Sequence, residues 1–473
     1  MEFDLLLRGG KVVTSQTVLE ADLGIREGRI AGLGRDLSPN GARVLDVSGC
    51  LLLPGGIDPH THIAYGQRPF SQNILSETES MAVGGITSGF TFVGRKEPYS
   101  GVLPELIREV NERSLLDIGF HPIIGRPEQA AEIPTLYSEH GVATFKFYPA
   151  TQGAEIYPGV YGADDGILYL ALQQIRQLGP PASALIHAEN WEIFPYLREE
   201  MKRAGRVDQA AYCEARPAFC EEDGILRALH FSERLGCPTY IVHVSTGVGS
   251  RLIGEAQARG VPVIGETCPQ YLMFTQDDRF EVIARVNPPL RSRSDNDALW
   301  QALARGDLRC MGSDHIPNRT KSMATDNVWT TQVGGYPGSG VILPVLMSEG
   351  VSRGRLDLPT VARVVSENAA RWFGLYPRKG TLLPGADADV VVYDPQRTVR
   401  YSPEVGHLSS DFSWFTGRTF QGWPRYVFRR GELIVEHNEL RAAPGSGTYL
   451  RRPLPPGGAA RNPSPGSPSR GGL

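Results

Sequence analysis

The sequence predicts an α/β protein, a (β/α)8 TIM barrel with a small β-sandwich domain formed from both chain ends. Three observations lead there. In the middle of the chain, short β-rich runs alternate with longer amphipathic stretches. At both ends the texture changes to short apolar runs broken by turns. Residues able to bind metal or move protons recur where the middle β-runs end, the face on which barrel enzymes keep their chemistry.

Residues 1–50 hold runs such as Phe3-Asp4-Leu5-Leu6-Leu7, Asp22-Leu23-Gly24-Ile25 and Arg29-Ile30-Ala31-Gly32, the spacing of small antiparallel strands. A similar texture returns in Ala388-Asp389-Val390-Val391-Val392-Tyr393 and in Tyr426-Val427-Phe428 through Leu433-Ile434-Val435. One composite β-sandwich domain, 1–52 with 376–442, accounts for both ends. The barrel is expected over 53–375, with strands at 50–54, 86–93, 117–124, 142–148, 184–188, 239–244, 261–267 and 309–313. Amphipathic helices are expected at 103–114, 164–178, 222–235 and 248–259. A doubly wound open sheet is the alternative, but no GxGxxG turn supports it. From Ala443 the chain is rich in Pro, Gly, Ser and Arg and nearly free of aliphatics, so 443–473 is expected to be a disordered tail.

Composition narrows the function classes. Of 473 residues, 41% are hydrophobic and 21% charged, with a formal net charge of −4, which fits a globular protein and offers no basic stripe for nucleic acid. No run approaches the roughly 20 apolar residues that span a bilayer, and Met1-Glu2-Phe3-Asp4 has no signal-peptide pattern. Six scattered cysteines without a CxxC pair suit reduced, buried thiols. Together these predict a cytoplasmic protein acting on a small molecule, with no nucleic-acid or membrane partner.

The chemistry centres on Leu53-Pro54-Gly55-Gly56-Ile57-Asp58-Pro59-His60-Thr61-His62. In an extended chain residues i and i+2 point to one side, so His60 and His62 can aim two imidazoles at one point. Lys146 lies inside Thr144-Phe145-Lys146-Phe147-Tyr148, His187 in Ile186-His187-Ala188-Glu189-Asn190, His243 in Val242-His243-Val244-Ser245, and Asp314 in Gly312-Ser313-Asp314-His315. Taken singly, each has an ordinary structural explanation: a snorkelling lysine, a hydrogen-bonded core histidine, a turn. Five strand ends of one barrel carrying such groups is a different matter, and together they predict a metal site.

Four histidines, an aspartate and a lysine exceed what one tetrahedral ion needs. An ammonium has no lone pair, so Lys146 cannot bind metal as it stands. Reacted with carbon dioxide it becomes a carbamate, N6-carboxylysine, whose two oxygens can bridge two divalent cations. A hydroxide held between such ions is a nucleophile at neutral pH. Asp314 would bind metal, orient that hydroxide and carry its proton to the leaving nitrogen. His121, after the third strand, and His315, beside Asp314, are expected in supporting roles, and His140, His230, His407 and His437 are assigned none.

These residues resemble the amidohydrolase superfamily, and within it the cyclic amidohydrolases: dihydropyrimidinase/hydantoinase, allantoinase and dihydroorotase. The likeness runs to about residue 440. Beyond the motifs above it rests on Gly265-Glu266-Thr267-Cys268-Pro269-Gln270-Tyr271-Leu272, Asn287-Pro288-Pro289-Leu290-Arg291 and Phe373-Gly374-Leu375-Tyr376-Pro377-Arg378-Lys379-Gly380. It implies two zinc ions bridged by carbamylated Lys146, with His60, His62 and Asp314 on one and His187 and His243 on the other. It further implies hydrolytic opening of a small cyclic amide or imide, and a homo-oligomer, dimer or tetramer.

Departures refine the resemblance. Dihydroorotases carry an arginine two residues past the second histidine, and here that residue is Ala64. Dihydropyrimidinases place an oxyanion-binding tyrosine five residues past the lysine. Thr151 stands there, and Tyr148, Tyr157 and Tyr161 are the nearby candidates, Tyr148 and Tyr157 as substrate contacts. The family's serine before Pro-Pro-Leu-Arg is Asn287, still able to bond an imide edge. The loop Gly334-Gly335-Tyr336-Pro337-Gly338-Ser339-Gly340 leans toward allantoinase. Non-catalytic dihydropyrimidinase-like scaffolds lack several metal ligands, whereas all six positions are filled here. A deaminase of the superfamily would not need Lys146.

Overall fold

The computed structural model describes residues 2–63, 68–149, 161–280, 284–317, 326–331 and 337–453. Eight strands form the barrel: β1 Gly56–Thr61, β2 Ile86–Val93, β3 Asp117–Pro122, β4 Thr144–Phe147, β5 Ser183–Ile186, β6 Thr239–Ile241, β7 Val263–Thr267 and β8 Cys310–Met311. β1 to β3 pair in parallel, as do β4 to β8, with Lys146 opposite Leu185 and Ile186 opposite Ile241. Two parallel bridges join these groups, Ile123 with Lys146 and Thr61 with His315. At the second seam, His62 N donates to His315 O at 2.8 Å and Asp314 N to His60 O at 2.9 Å. Closure of the barrel therefore draws the first and last ligand-bearing strand ends together.

The helices follow from the amphipathic stretches. Those expected at 103–114, 164–178, 222–235 and 248–259 are Leu103–Arg113, Asp165–Leu178, Ala218–Leu235 and Gly247–Ala258. Asp164 caps the second by accepting from Ile167 N at 2.8 Å, and Thr246 caps the fourth by accepting from Gly249 N at 3.1 Å.

One strand assignment needs correction. The run at 50–54 is not the first barrel strand. Leu51–Pro54 belongs to the sandwich, between Val390–Arg400 and Lys11–Val13, and the barrel begins at Gly56. Gly55 N bonds Asp389 O at 2.9 Å, while Gly56 N bonds Gly85 O at 2.9 Å, so the chain passes between sheets within one residue. A Cβ on Gly55 would fall 2.2 Å from Thr87 Oγ1, too close for any larger residue.

The run resembled a barrel strand because its sheet is buried on both faces. That sheet has seven strands, in the order Glu439–Leu440, Glu432–Glu436, Thr419–Arg429, Val390–Arg400, Leu51–Pro54, Lys11–Val13 and Val18–Glu20. Leu52, Val390, Val392, Tyr426 and Phe428 point into the sandwich core, against Leu7, Leu23 and Ile25 of the four-stranded partner sheet. Their neighbours Leu51, Leu53, Val391, Tyr393 and Val427 pack on the barrel side. Alternation places one set on each face, and both faces are apolar.

Part of the expected tail, residues 443–453, is ordered. Residues 443–453 pack against the lower barrel: Ile118 N bonds Thr448 O at 3.0 Å, Leu450 N bonds Ile118 O at 2.9 Å, and Tyr449 bridges in parallel to Ile118. Arg452, buried, donates to Phe120 O at 3.1 Å and Thr144 Oγ1 at 3.3 Å. This segment has few aliphatics, with Leu450 buried, and its order comes largely from an existing strand edge and from buried arginine hydrogen bonds. Residues 454–473 lie outside the described residues.

A buried ion cluster ties the domains together. Lys379 Nζ lies 2.8 Å from Asp117 Oδ2 at the start of β3, 2.7 Å from Asp389 Oδ2 and 3.3 Å from Asp387 Oδ2. Arg430 also bonds Asp117. Burial pushes the Asp117 carboxyl up, but Lys379 and Arg430 outweigh it and hold the group well below the usual carboxylate range. Such a depressed group contributes stability above its unfolded pKa, near 4, and loses that contribution as pH falls toward the folded value. Lys379→Met is expected to cost about 3–5 kcal/mol in urea unfolding at pH 7, because it strands buried carboxylates. That loss should shrink as pH drops below about 4, and a midpoint unchanged at pH 7 would refute the clamp.

Candidate active site

The six ligand-type residues converge at one end of the barrel. His60, His62 and Asp314 offer ligand atoms all within 4.8 Å of one another. Asp314 Oδ1 is 3.0 Å from His60 Nε2 and 3.2 Å from His62 Nε2. The histidine rings continue as a row: His60 to His243 is 5.3 Å between centroids, and His243 to His187 is 4.5 Å. Phe92, from β2, forms a common floor. Its ring centroid is 4.7 Å from His60, 5.1 Å from His62 and 4.7 Å from Lys146 Nζ.

Backbone geometry contributes as well. His243 and Asp314 take positive φ, 42° and 54°, a region that non-glycine residues rarely occupy. Both stand just past a strand end, where the twist turns the side chain inward. Gly312 makes room for this, since a Cβ there would meet the Glu266 carboxyl at 2.6 Å and His60 Cβ at 2.7 Å.

Carboxylates behind the histidines orient them. His60 Nδ1 is 2.6 Å from Glu266 Oε1, and Tyr240 donates to the other Glu266 oxygen at 2.8 Å. His187 Nε2 meets Glu189 Oε2 at 2.6 Å, which leaves Nδ1 for a ligand. Asp58 Oδ1 accepts from His60 N at 3.1 Å and Ser313 N at 3.0 Å, tying the ends of β1 and β8 together. His315 bonds Glu77 at 2.7 Å and accepts from Gly338 N at 3.0 Å, a supporting position. His121 is likewise held, by Thr144 Oγ1 at 2.6 Å and Pro59 O at 3.2 Å, with its ring stacked on Phe90.

The electrostatics favour a cation. Burial pulls the His62 and His187 imidazoles down to about 4 and His243 well below its ordinary value, so at neutral pH all three keep a lone pair. His60 goes the other way: burial opposes its charge, but Glu266 and Asp314 on either side raise it to about 9. Burial raises the Asp314 carboxyl, yet His60 and His62 outweigh this and hold it well below the carboxylate range. The site thus draws positive charge to the place between Asp314 and the imidazoles.

Lys146 is the outlier. Its Nζ is fully buried with no hydrogen-bond partner among the described residues. It lies between the Phe92 and Tyr148 rings, and burial lowers its pKa to about 7. An uncompensated buried ammonium costs several kcal/mol, so this environment suits an amine that has lost its charge. Neutral imidazoles, a deprotonated aspartate and an orphaned amine beside them fit a divalent-metal site.

Of the candidate substrate contacts, Tyr148 is buried with its ring 5.2 Å from His187. Asn287 is half-buried and its Oδ1 accepts a hydrogen bond from the Tyr212 hydroxyl. Tyr161 lies further out, its ring under the Arg126 guanidinium at 4.1 Å. Tyr157, Thr151, Ala64 and Gly334 to Tyr336 lie outside the described residues. Motif reading assigned no role to Asp58, Glu266, Glu189 or Arg216. The available signal was a carboxylate in an otherwise apolar strand, Val263-Ile264-Gly265-Glu266, and another two residues past His187. Outer-shell partners of this kind commonly carry 10–100-fold of metal affinity. Glu266→Ala is therefore expected to weaken divalent-metal binding by about that factor, measured by chelator competition on folded protein, and unchanged affinity would remove Glu266 from that role.

Comparison with known proteins agrees with this geometry. A model of the Amidohydrolase family matches residues 239–434. The chain is 35% identical over 462 residues to the D-hydantoinase of Geobacillus stearothermophilus, covering 94% of this chain and 96% of that one. It is 33% identical over 459 residues to the allantoinase of Rubrobacter xylanophilus, covering 95% and 98%. The solved L-hydantoinase (dihydropyrimidinase) from Arthrobacter aurescens matches with a TM-score of 0.88 at 31% identity, covering 94% of this chain and 99% of that one. A barrel with a composite β-sandwich, a histidine-aspartate cluster at the strand ends and full-length relatives of this kind place the chain in the amidohydrolase family, among the cyclic amidohydrolases.

Proposed function

We propose that this protein hydrolyses the C–N bond of a small cyclic amide or imide, opening the ring in the manner of a hydantoinase or dihydropyrimidinase. The observation that carries the reading is the convergence at one barrel end of four histidines, Asp314 and a buried Lys146 Nζ with no hydrogen-bond partner among the described residues. Full-length similarity to hydantoinases supports it. Allantoin is the second candidate ring, since an allantoinase is among the relatives at 33% identity.

Two divalent ions, zinc by family resemblance, fit the residues present. His60, His62 and Asp314 would hold one, His187 and His243 the other, and Lys146 as N6-carboxylysine both. The carbamate forms when the Lys146 amine adds to carbon dioxide and releases one proton. When bound, the ions supply Lewis-acid polarisation of the scissile carbonyl and acidify a water. Asp314 takes the proton from the attacking water at its carboxylate and returns it to the leaving ring nitrogen. Tyr148 donates to the carbonyl oxygen as charge builds there, and Tyr157 is a second candidate substrate contact by its place in the sequence. Asn287 holds the imide edge, and Phe92 keeps the floor apolar.

The protein is further read as a cytoplasmic homo-oligomer, dimer or tetramer. Six free, buried cysteines support a reducing compartment. Tyr169, Leu170, Phe219 and Leu226 are exposed apolar residues on Asp165–Leu178 and Ala218–Leu235, helices that touch each other, a texture suited to a subunit contact. Among the described residues no helix is long and apolar enough to cross a membrane.

Metal analysis of purified protein, with hydrolysis of hydantoin, dihydrouracil, allantoin and dihydroorotate, tests the function. About two metals per chain with one ring opened is the expected result, and a metal-free, inactive protein would return the chain to the scaffold class. Lys146→Ala is expected to lose metal and activity and to regain part of each with added short carboxylic acids. Turnover near wild type without such acids would refute the carbamate.

A further inference from the structure

The polar chain that leaves the ligand cluster through His187 does not end at Glu189. Arg216 holds that carboxylate twice, Nε at 3.1 Å from Oε1 and Nη2 on Oε2. Its remaining arm, Nη1, reaches the Tyr212 hydroxyl at 3.3 Å, and that hydroxyl bonds Asn287 Oδ1. Glu189, Arg216 and Tyr212 are all buried. Trp191 and Phe194 pack the relay, with the Arg216 guanidinium 4.2 and 4.7 Å from their ring centroids. Glu189 is thus held between His187 on one side and the Arg216 guanidinium on the other.

The relay has a direction. A guanidinium only donates, so the Tyr212 oxygen accepts from Arg216. Among the described residues the phenol hydrogen has one acceptor, the Asn287 amide oxygen. The amide nitrogen is thereby turned away from Tyr212, and Nδ2 has no hydrogen-bond partner among the described residues. A serine at this position could rotate its hydroxyl to donate or accept. An asparagine with its oxygen occupied offers only N–H.

We propose that Tyr212, held by Arg216 and Glu189, is a positioning residue that locks the Asn287 amide with Nδ2 toward the bound ring, so that the site reads a ring carbonyl as an acceptor. This rests on the ring-opening reading above and on Asn287 as a substrate contact. It couples substrate reading to a metal ligand through one continuous set of hydrogen-bonded side chains. Asn287 then discriminates between rings by what they accept, where serine would tolerate either polarity.

A double-mutant cycle tests this, using whichever of hydantoin, dihydrouracil or allantoin the wild type opens. Tyr212→Phe keeps the packed ring and removes only the hydroxyl. KM is expected to rise about three- to tenfold, with kcat within about twofold and metal content unchanged. In an Asn287→Ser background, Tyr212→Phe should shift KM by less than about twofold. Equal KM shifts in the two backgrounds would overturn the relay while leaving ring opening intact, as would an Asn287→Ala enzyme with wild-type KM. A wild type that opens none of the three rings would overturn both.

Discussion

The burial of four imidazoles, a carboxylate and an amine at one end of a barrel is the constraint on which the rest of the structure depends. Such groups are costly away from water unless each has a partner. Glu266, Glu189, Asp58 and Glu77 serve as those partners, each bonded to a histidine side chain or to the backbone beside one. Among the described residues Lys146 Nζ and His243 Nδ1 have no hydrogen-bond partner, and that asymmetry is what gives the cluster a chemical meaning beyond packing. A site with every member satisfied would be an inert core network. One that leaves the Lys146 amine and His243 Nδ1 without hydrogen-bond partners among the described residues, beside an ionised aspartate, is arranged to take up cations.

Holding this arrangement requires the barrel to close accurately, and closure draws on the second domain. The seven-stranded sheet lies between the sandwich core and the barrel, apolar on both faces, so each domain completes the other's interior. Lys379 adds a specific lock, with one ammonium shared by carboxylates from the barrel and from the sandwich. The segment 443–453 serves β3 from below, supplying backbone hydrogen bonds to Ile118, where the parallel pairing of β3 with β4 is confined to the upper bridge. Arg452 continues that contact inward to Thr144, which in turn bonds His121. Elements far from the site therefore bear on the strand ends that present its ligands.

The outer residues divide by charge logic. On the His60 side, Glu266 and Asp314 flank one ring and make the place between them strongly attractive to a cation. On the His187 side, Glu189 is neutralised by Arg216, so that ring is oriented without added negative charge. The two halves of the cluster thus differ in field although both are built from histidine pairs. The same Arg216 donates to the Tyr212 hydroxyl, so one guanidinium joins the His187 side of the cluster to Tyr212 and Asn287.

By itself, the sequence determined the fold class, four of the helices and the candidate residues that the fold brings to one barrel end. Those depend on periodicity and on residue type at strand ends, which are local properties that survive without coordinates. Asp164 and Thr246 announce their helices because a cap is made within three residues. Only the tertiary structure decided that Leu51–Pro54 belongs to the sandwich, because an apolar run does not say which two faces cover it. It alone decided that 443–453 is ordered, because the stabilising strand edge and acceptors come from residues more than 300 positions away in sequence, as with Arg452 and Phe120. The roles of Glu266 and Arg216 were hidden because their partners are 206 and 27 positions away, and that of Glu189, two residues past His187, because spacing alone does not show which group it meets. A carboxylate or guanidinium acquires its function from what burial places within about 3 Å of it, and no spacing along the chain encodes that distance.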